Sequence, residues 1–233
     1  MGLYSIIKTL VFRIYGSMNQ IITKVTIPIF ASLQDKVLIL KDRYLSMINV
    51  IAFINALVFL VLAIQSKEIL FLFYGKEYVE SSLVLEILCI WGLFSSIVSC
   101  ASSIIIALGR TEVGFRWTQI RVLCNPIFIV LGAYLGGIIG VAIAQAIYAF
   151  LFVFVYWKIV VFRILDIISI YEFVKSFYKP VLLSFILGPM IFFIKSIIDI
   201  KNIYISTLIY GFGIIIMFFA FFGKMISKQI RKI

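Results

Sequence analysis

Apolar residues come in seven long blocks, at roughly 4–33, 44–65, 81–108, 117–135, 138–161, 178–198 and 203–223. Each is long enough for a helix to cross the ~30 Å hydrocarbon core of a bilayer, which takes ~20 residues. The fifth block opens with IIGVAIAQAIYAFLFVFVYW, twenty residues without a charge. Only Tyr134-Leu135-Gly136-Gly137 separates the fourth and fifth blocks. A glycine turn that short predicts an antiparallel pair of helices. Between the fifth and sixth blocks, residues 162–177 mix charged and apolar positions and predict an amphipathic helix lying along the interface. Pro180 and Pro189 predict a kink in the sixth block. The expected fold is all-α, a polytopic bundle of about seven transmembrane helices. Its expected parts are 1–161 as five helices, 162–177 as the interfacial segment, 178–223 as two further spans and 224–233 as a basic tail.

Composition agrees with a membrane solvent. Of the 233 residues 64% are apolar and 13% charged, about half the charged share of a soluble domain, and mean hydropathy is +1.19. A soluble enzyme or DNA-binding module of this length could not cover its surface. The chain has no histidine, which removes Ser-His and Cys-His nucleophiles, histidine metal sites and histidine proton relays. Cys89, Cys100 and Cys124 lie in apolar stretches without CxxC spacing and predict small buried side chains, neither disulfides nor a zinc site.

The net charge of +11 resolves mostly into topology. Fourteen basic residues fall in alternate loops: Lys36, Lys41, Arg43; Arg110, Arg116, Arg121; Lys158, Arg163, Lys175, Lys179; Lys224, Lys228, Arg231, Lys232. The other loops hold only Lys67, Lys76, Lys195 and Lys201. The richer side is expected to be cytoplasmic, with the N-terminus outside and the C-terminus inside. An outside start with no signal peptide ahead of the first span predicts further chain upstream.

Lys8, Arg13 and Lys24 lie inside the first block. At 100° per residue Thr9, Ser17, Gln20 and Lys24 fall within about 40° of Arg13, forming one polar stripe. Ile7, Leu10, Ile14, Met18, Ile21 and Val25 form the opposing apolar stripe. Lys8, Tyr15, Asn19 and Thr26 make a second polar line, expected to flank the first. Lys8 and Lys24 are ~24 Å apart along the axis, most of a bilayer's apolar thickness. Cations at that depth cost ~2.5–3.5 kcal/mol each on insertion scales. They therefore predict a watery cavity or an anionic ligand such as a lipid-linked phosphate. The plainer alternative is a surface helix, or snorkelling of Lys8 and Lys24 to the two interfaces.

Other polar positions read mainly as packing. Ser95, Ser99 and Ser102/Ser103 have small-xxx-small spacing, which favours close helix contact. Asn125 and Gln145 read as inter-helix hydrogen bonding ahead of cavity lining, the alternative for both, and Glu86 as an interfacial residue. No P-loop, Gly-rich nucleotide fingerprint or paired carboxylates appear, so no cofactor or metal is expected.

Several short motifs occur in a fixed order. They are Gly2-x-Tyr4-Ser5; Pro28-Ile-Phe-Ala-Ser-Leu-Gln-Asp35; Glu68-Ile69 with Tyr74-Gly75-x-x-Tyr78; Leu85-x-x-Leu88; Ala107-Leu108-Gly109-Arg110; and Gly137-x-x-Gly140-Val141-Ala142. Over residues 2 to about 145 this set resembles the polysaccharide flippases (O-antigen, capsule and teichuronic-acid type) of the MATE-like multidrug/oligosaccharidyl-lipid/polysaccharide exporter superfamily. The last two spans match only in number and hydropathy. The resemblance implies two lobes around a central cavity, with this chain supplying helices eight to fourteen. That placement also puts the N-terminus outside. Family basic residues in the eighth helix fall near positions 9 and 24. Lys24 matches the second, while Thr9 stands at the first, leaving Lys8 or Arg13 for that role.

The implied function is transport, not catalysis: flipping of undecaprenyl-pyrophosphate-linked oligosaccharide units across the bacterial plasma membrane by alternating access. Arg13, Lys24 and Lys8 would meet the phosphate head, and Thr9, Ser17 and Gln20 would line the cavity. The expected partners are the lipid-linked oligosaccharide, membrane lipids, and the glycosyltransferases and polymerase of the pathway, with no nucleic acid. One lobe cannot enclose the cavity, so the chain is expected to be inactive alone. The alternatives are a drug/cation antiporter fragment and a non-transporting gene remnant. The scarcity of mid-span carboxylates argues against the antiporter.

Overall fold

The computed structural model describes residues 2–166, 168–197, 211–214 and 216. The seventh apolar block and the basic tail fall almost wholly outside the described residues. The described part is a helical membrane bundle. In order come α1 (Leu3–Ala31), α2 (Val37–Ile64), α3 (Ser66–Tyr74), a 3-10 turn (Lys76–Ser81), α4 (Ser82–Ala107) and α5 (Thr111–Tyr156). A π-type turn (Trp157–Val161) and the short α6 (Phe162–Ile164) extend α5, and α7 (Ile170–Ile197) closes the described bundle.

Glycines set the reversals. Gly75 (φ 98°) ends α3, and Gly109 (φ 65°) turns α4 into α5. Both belong to the motifs Tyr74-Gly75-x-x-Tyr78 and Ala107-Leu108-Gly109-Arg110, and left-handed backbone at these points favours glycine. In the first motif the Tyr74 and Tyr78 rings also meet, with centroids 5.7 Å apart. α5 is two helices joined at Gly136 and Gly137, where Gly137 has φ 57° and the backbone leaves the helical region. The arms, 111–135 and 138–156, fold back as the expected antiparallel pair. Gly132 and Gly140 meet backbone to backbone, so a Cβ on either would overlap the other's carbonyl. Further along the pair, Gln145 Nε2 donates to Asn125 Oδ1 at 2.8 Å, the anticipated inter-helix bond.

α4 is the hub of the bundle. α1, α2 and α5 each pack along it, and α7 packs on α2. Residues 162–177 do not form a separate interfacial helix. Residues 162–164 finish the preceding helix, and α7 begins at Ile170 and runs unbroken through Pro180 and Pro189. Its start is a capping box, with Glu172 Oε2 accepting from the Ser169 backbone N–H and the Glu172 N–H donating to Ser169 Oγ. Buried Phe173 and Phe177 then draw the first turns into the core. Where Pro180 removes a donor, the helix stays intact and Ser184 Oγ bonds the Pro180 carbonyl at 2.9 Å.

Ion pairs mark the two ends. Lys41 reaches Glu172 at 2.8 Å, joining α2 to α7 at one end. At the other, Lys195 reaches Glu68 at 2.7 Å and the Ile64 carbonyl at 2.7 Å. Glu86, beside this cluster, accepts from Ser66 Oγ at 2.7 Å. The charge sorting groups Lys41 with Lys175 on one side and Lys67 with Lys195 on the other, and these pairs sit accordingly.

Candidate functional site

α1 buries one face against α4. Ile7, Val11, Thr26 and Phe30 are buried, with Ile14, Tyr15, Met18 and Ile22 partly so. The stripe of Thr9, Arg13, Ser17, Gln20 and Lys24 lies opposite that face, and all five are exposed. Thr9 Oγ1 turns back onto the Ser5 carbonyl at 2.7 Å. Arg13, Ser17, Gln20 and Lys24 have no hydrogen-bond or ion-pair partner among the described residues. The stripe thus presents two cations ~16 Å apart along the axis, with two neutral polar side chains between them.

Lys8 does not join them. It is half-buried, and its Nζ lies over the Tyr4 and Phe12 rings, 5.7 and 5.4 Å from their centroids. The expected flanking line of Lys8, Tyr15, Asn19 and Thr26 is in fact the inward line. At 100° per residue these positions lie about 140° from Arg13, which sets them on the α4 side. Tyr15 meets Trp91 edge-on at 5.5 Å, and Thr26 bonds its own helix at the Ile22 carbonyl. The opposing apolar stripe is buried at its start, but Ile21 and Val25 are exposed.

A polar groove of about 320 Å³ runs between α1 and α5 over α4. Tyr15 and Asn19 form one wall, Trp91, Ser95 and Ser99 the floor, and Trp117, Thr118, Arg121 and Tyr148 the other wall. Arg121 sorts with the loop cations in sequence, yet it lies ten residues inside α5, ~15 Å from the helix start. Its guanidinium stands 5.8 Å from the Trp117 ring centroid. Its signal in the sequence is the i, i+4 pair Trp117/Arg121. A second groove, of about 660 Å³ between α2, α4 and α7, is lined almost wholly by apolar side chains such as Phe59, Ile90 and Phe192. Its carboxylate, Glu86, is engaged with Ser66. Among the described residues no cluster of three His, Cys, Asp or Glu side chains could hold a metal. Cys89 and Cys124 are free thiols.

A family model described as polysaccharide biosynthesis protein matches residues 1–83, which hold α1, α2, α3 and the start of α4. This chain resembles polysaccharide biosynthesis proteins. Among curated relatives, the lipopolysaccharide biosynthesis protein WzxC of Escherichia coli K12 is 29% identical over 126 residues, covering 54% of this chain and 26% of that protein. An uncharacterized membrane protein in the cps region of Klebsiella pneumoniae is 27% identical over 172 residues, 71% of this chain and 34% of that one. The teichuronic acid biosynthesis protein TuaB of Bacillus subtilis 168 is 22% identical over 193 residues, 82% of this chain and 39% of that one. Among solved structures, the lipid II flippase MurJ in an inward closed conformation superposes with a TM-score of 0.65 at 17% identity. The match takes in 94% of this chain and 47% of MurJ. The fold is therefore that of about half of MurJ, and the chain spans between a quarter and two-fifths of the curated relatives named here.

Proposed function

We propose that this chain is the C-terminal part of a plasma-membrane flippase for undecaprenyl-pyrophosphate-linked oligosaccharide units. The observation that carries the reading is the α1 stripe, Arg13-Ser17-Gln20-Lys24, facing away from the bundle within the region that the polysaccharide biosynthesis model matches. Cations at membrane depth need water or an anion. A stripe turned from its own bundle meets either where it borders a cavity shared with a second lobe. Arg13 and Lys24 bind the pyrophosphate through charge-assisted hydrogen bonds, and Ser17 and Gln20 take up sugar hydroxyls or phosphate oxygens. Lys8, held over two aromatic rings, tunes the potential at the helix start. Alternating access then carries the head group across while the polyprenyl tail stays in lipid. The reading is transport without a covalent step. The cytoplasmic side carries the denser basic loops, and the glycosyltransferases and polymerase of the pathway supply and consume the substrate.

In cells producing a full-length homologue, the substitutions equivalent to Arg13→Ala and Lys24→Ala are each expected to abolish surface polysaccharide while membrane protein levels hold. Normal export by both variants would sink the assignment of the stripe. The chain alone has one lobe and is expected not to flip lipid-linked oligosaccharide in liposomes. Flipping by the purified 233-residue chain would overturn that part.

A further inference from the structure

α1 and α5 both pack on α4 but scarcely on each other, and the polar groove is the space they leave. The floor residues Trp91 to Ser99 run ~12 Å along α4, so the groove is elongated along the helices. Its walls mix aromatic rings with small groups: Trp91 and Trp117 beside Gly114, Ser95 and Thr118. Small residues between large ones allow a neighbouring helix to approach closely.

One buried acceptor in the groove lacks a partner, and one cation lacks a counter-charge. The Oδ1 of Asn19 is buried without a hydrogen bond. Arg121 meets the Tyr148 hydroxyl and the Trp117 ring but has no carboxylate within 4 Å among the described residues, and it lies ~15 Å along α5, within the apolar block. A guanidinium there costs ~2.5–3.5 kcal/mol on insertion scales unless it meets an anion or water.

We infer that this groove seats one further transmembrane helix, and that this helix carries an Asp or Glu facing Arg121. The remaining apolar block of the chain, 203–223, contains no acidic residue, so it cannot supply the anion. A second copy fits poorly. Of the long helices, α1 carries no carboxylate, Asp42 of α2 and Glu112 of α5 lie in the first two turns, and Glu86 of α4 and Glu172 of α7 are already engaged near the helix ends. The occupant comes from a different stretch of polypeptide, and MurJ has as much chain again outside the matched half. The helix lies on the side of α1 opposite Arg13, so it completes the bundle and leaves the polar stripe open. The inference rests on the membrane reading of the fold and does not require the pyrophosphate assignment.

The test places the full chain, carrying Trp157→Phe, in nanodiscs, so that Trp91 and Trp117 alone report. Two acceptor-labelled Leu/Ala transmembrane peptides are titrated, identical except for one central Asp or Leu. Saturable quenching by the Asp peptide is expected, at about tenfold higher affinity than by the Leu peptide. That factor is near the upper end of polar helix–helix contributions measured in bilayers. Arg121→Gln should erase the preference, Arg121→Lys should keep most of it, and Thr118→Phe, which fills the groove, should weaken both peptides. Equal binding of the two peptides, or a preference that survives Arg121→Gln, would overturn the inference. So would displacement of the Asp peptide by millimolar inorganic phosphate or glucuronate, which would assign the groove to a small anion. No lipid-linked substrate is present, so failure here leaves the flippase reading standing, and failure of the Arg13 and Lys24 variants leaves this one.

Discussion

Lys195 and Glu68 illustrate what a single pair does in this bundle. Both side chains are less than one-fifth exposed, and Lys195 also bonds the last carbonyl of α2. The pair ties α7 to the α2–α3 corner. Removing one member leaves the other charge buried and unpaired, which costs about 3 kcal/mol or more. Lys195→Met or Glu68→Leu should each lower the unfolding midpoint in detergent, and the double variant should recover much of the loss. Equal destabilisation by the double and the sum of the singles would show that the pair contributes nothing jointly. The exposed pair of Arg110 and Glu112, at 3.6 Å, should show almost no effect in the same measurement. Residue roles were unevenly legible. The outward stripe of α1 followed from spacing alone. The second polar line did not, because amphipathic reasoning assumes one polar face, whereas Tyr15 and Asn19 are polar residues turned inward.

At the scale of elements, the α5 hairpin rests on two glycines in contact. Gly132 and Gly140 leave no room for a Cβ, since each would meet the other's backbone, which cannot rotate away as a side chain can. Gly140→Ala is therefore expected to cost about 1–3 kcal/mol by overpacking. It should also loosen the Gln145–Asn125 bond five residues along, read as faster proteolysis of the arms. Gly16, with open space around its missing Cβ, is the control, and Gly16→Ala should be neutral or stabilising. The hairpin was legible because glycine pairs are strong turn signals. The start of α5 was not. Glu112, Arg116 and Arg121 in its first three turns lower the local hydropathy, so a hydropathy block opens at 117 while the helix opens at Thr111. Counting Arg121 with the loop charges, although it lies inside that block, hid the groove. Likewise the charges between 162 and 177 suggested an interfacial helix, but Phe173 and Phe177 anchor those turns in the core.

For the whole molecule, the family motifs turn out to be mainly architectural. Gly75 and Gly109 shape reversals, Gly140 closes the hairpin, and Leu85 and Leu88 are buried on the hub helix. The described helices pack around α4 with a shared core, yet they leave the cationic stripe of α1 and the groove around Arg121 on opposite sides of that helix. Large apolar side chains such as Leu123 and Val130 are exposed, while Arg13, Lys24 and Arg121 have no carboxylate partner among the described residues; the two proposals supply the counter-charge, an anionic ligand on one side and a helix on the other.

The most direct measurement is binding of undecaprenyl pyrophosphate to the full chain in nanodiscs made of zwitterionic lipid. Each charge-assisted hydrogen bond contributes about 1.5–3 kcal/mol, so Arg13→Ala and Lys24→Ala should each weaken binding about tenfold or more. Arg121→Gln, across the helix, should leave it unchanged. Equal affinity of the wild type and the Arg13 and Lys24 variants would contradict the account.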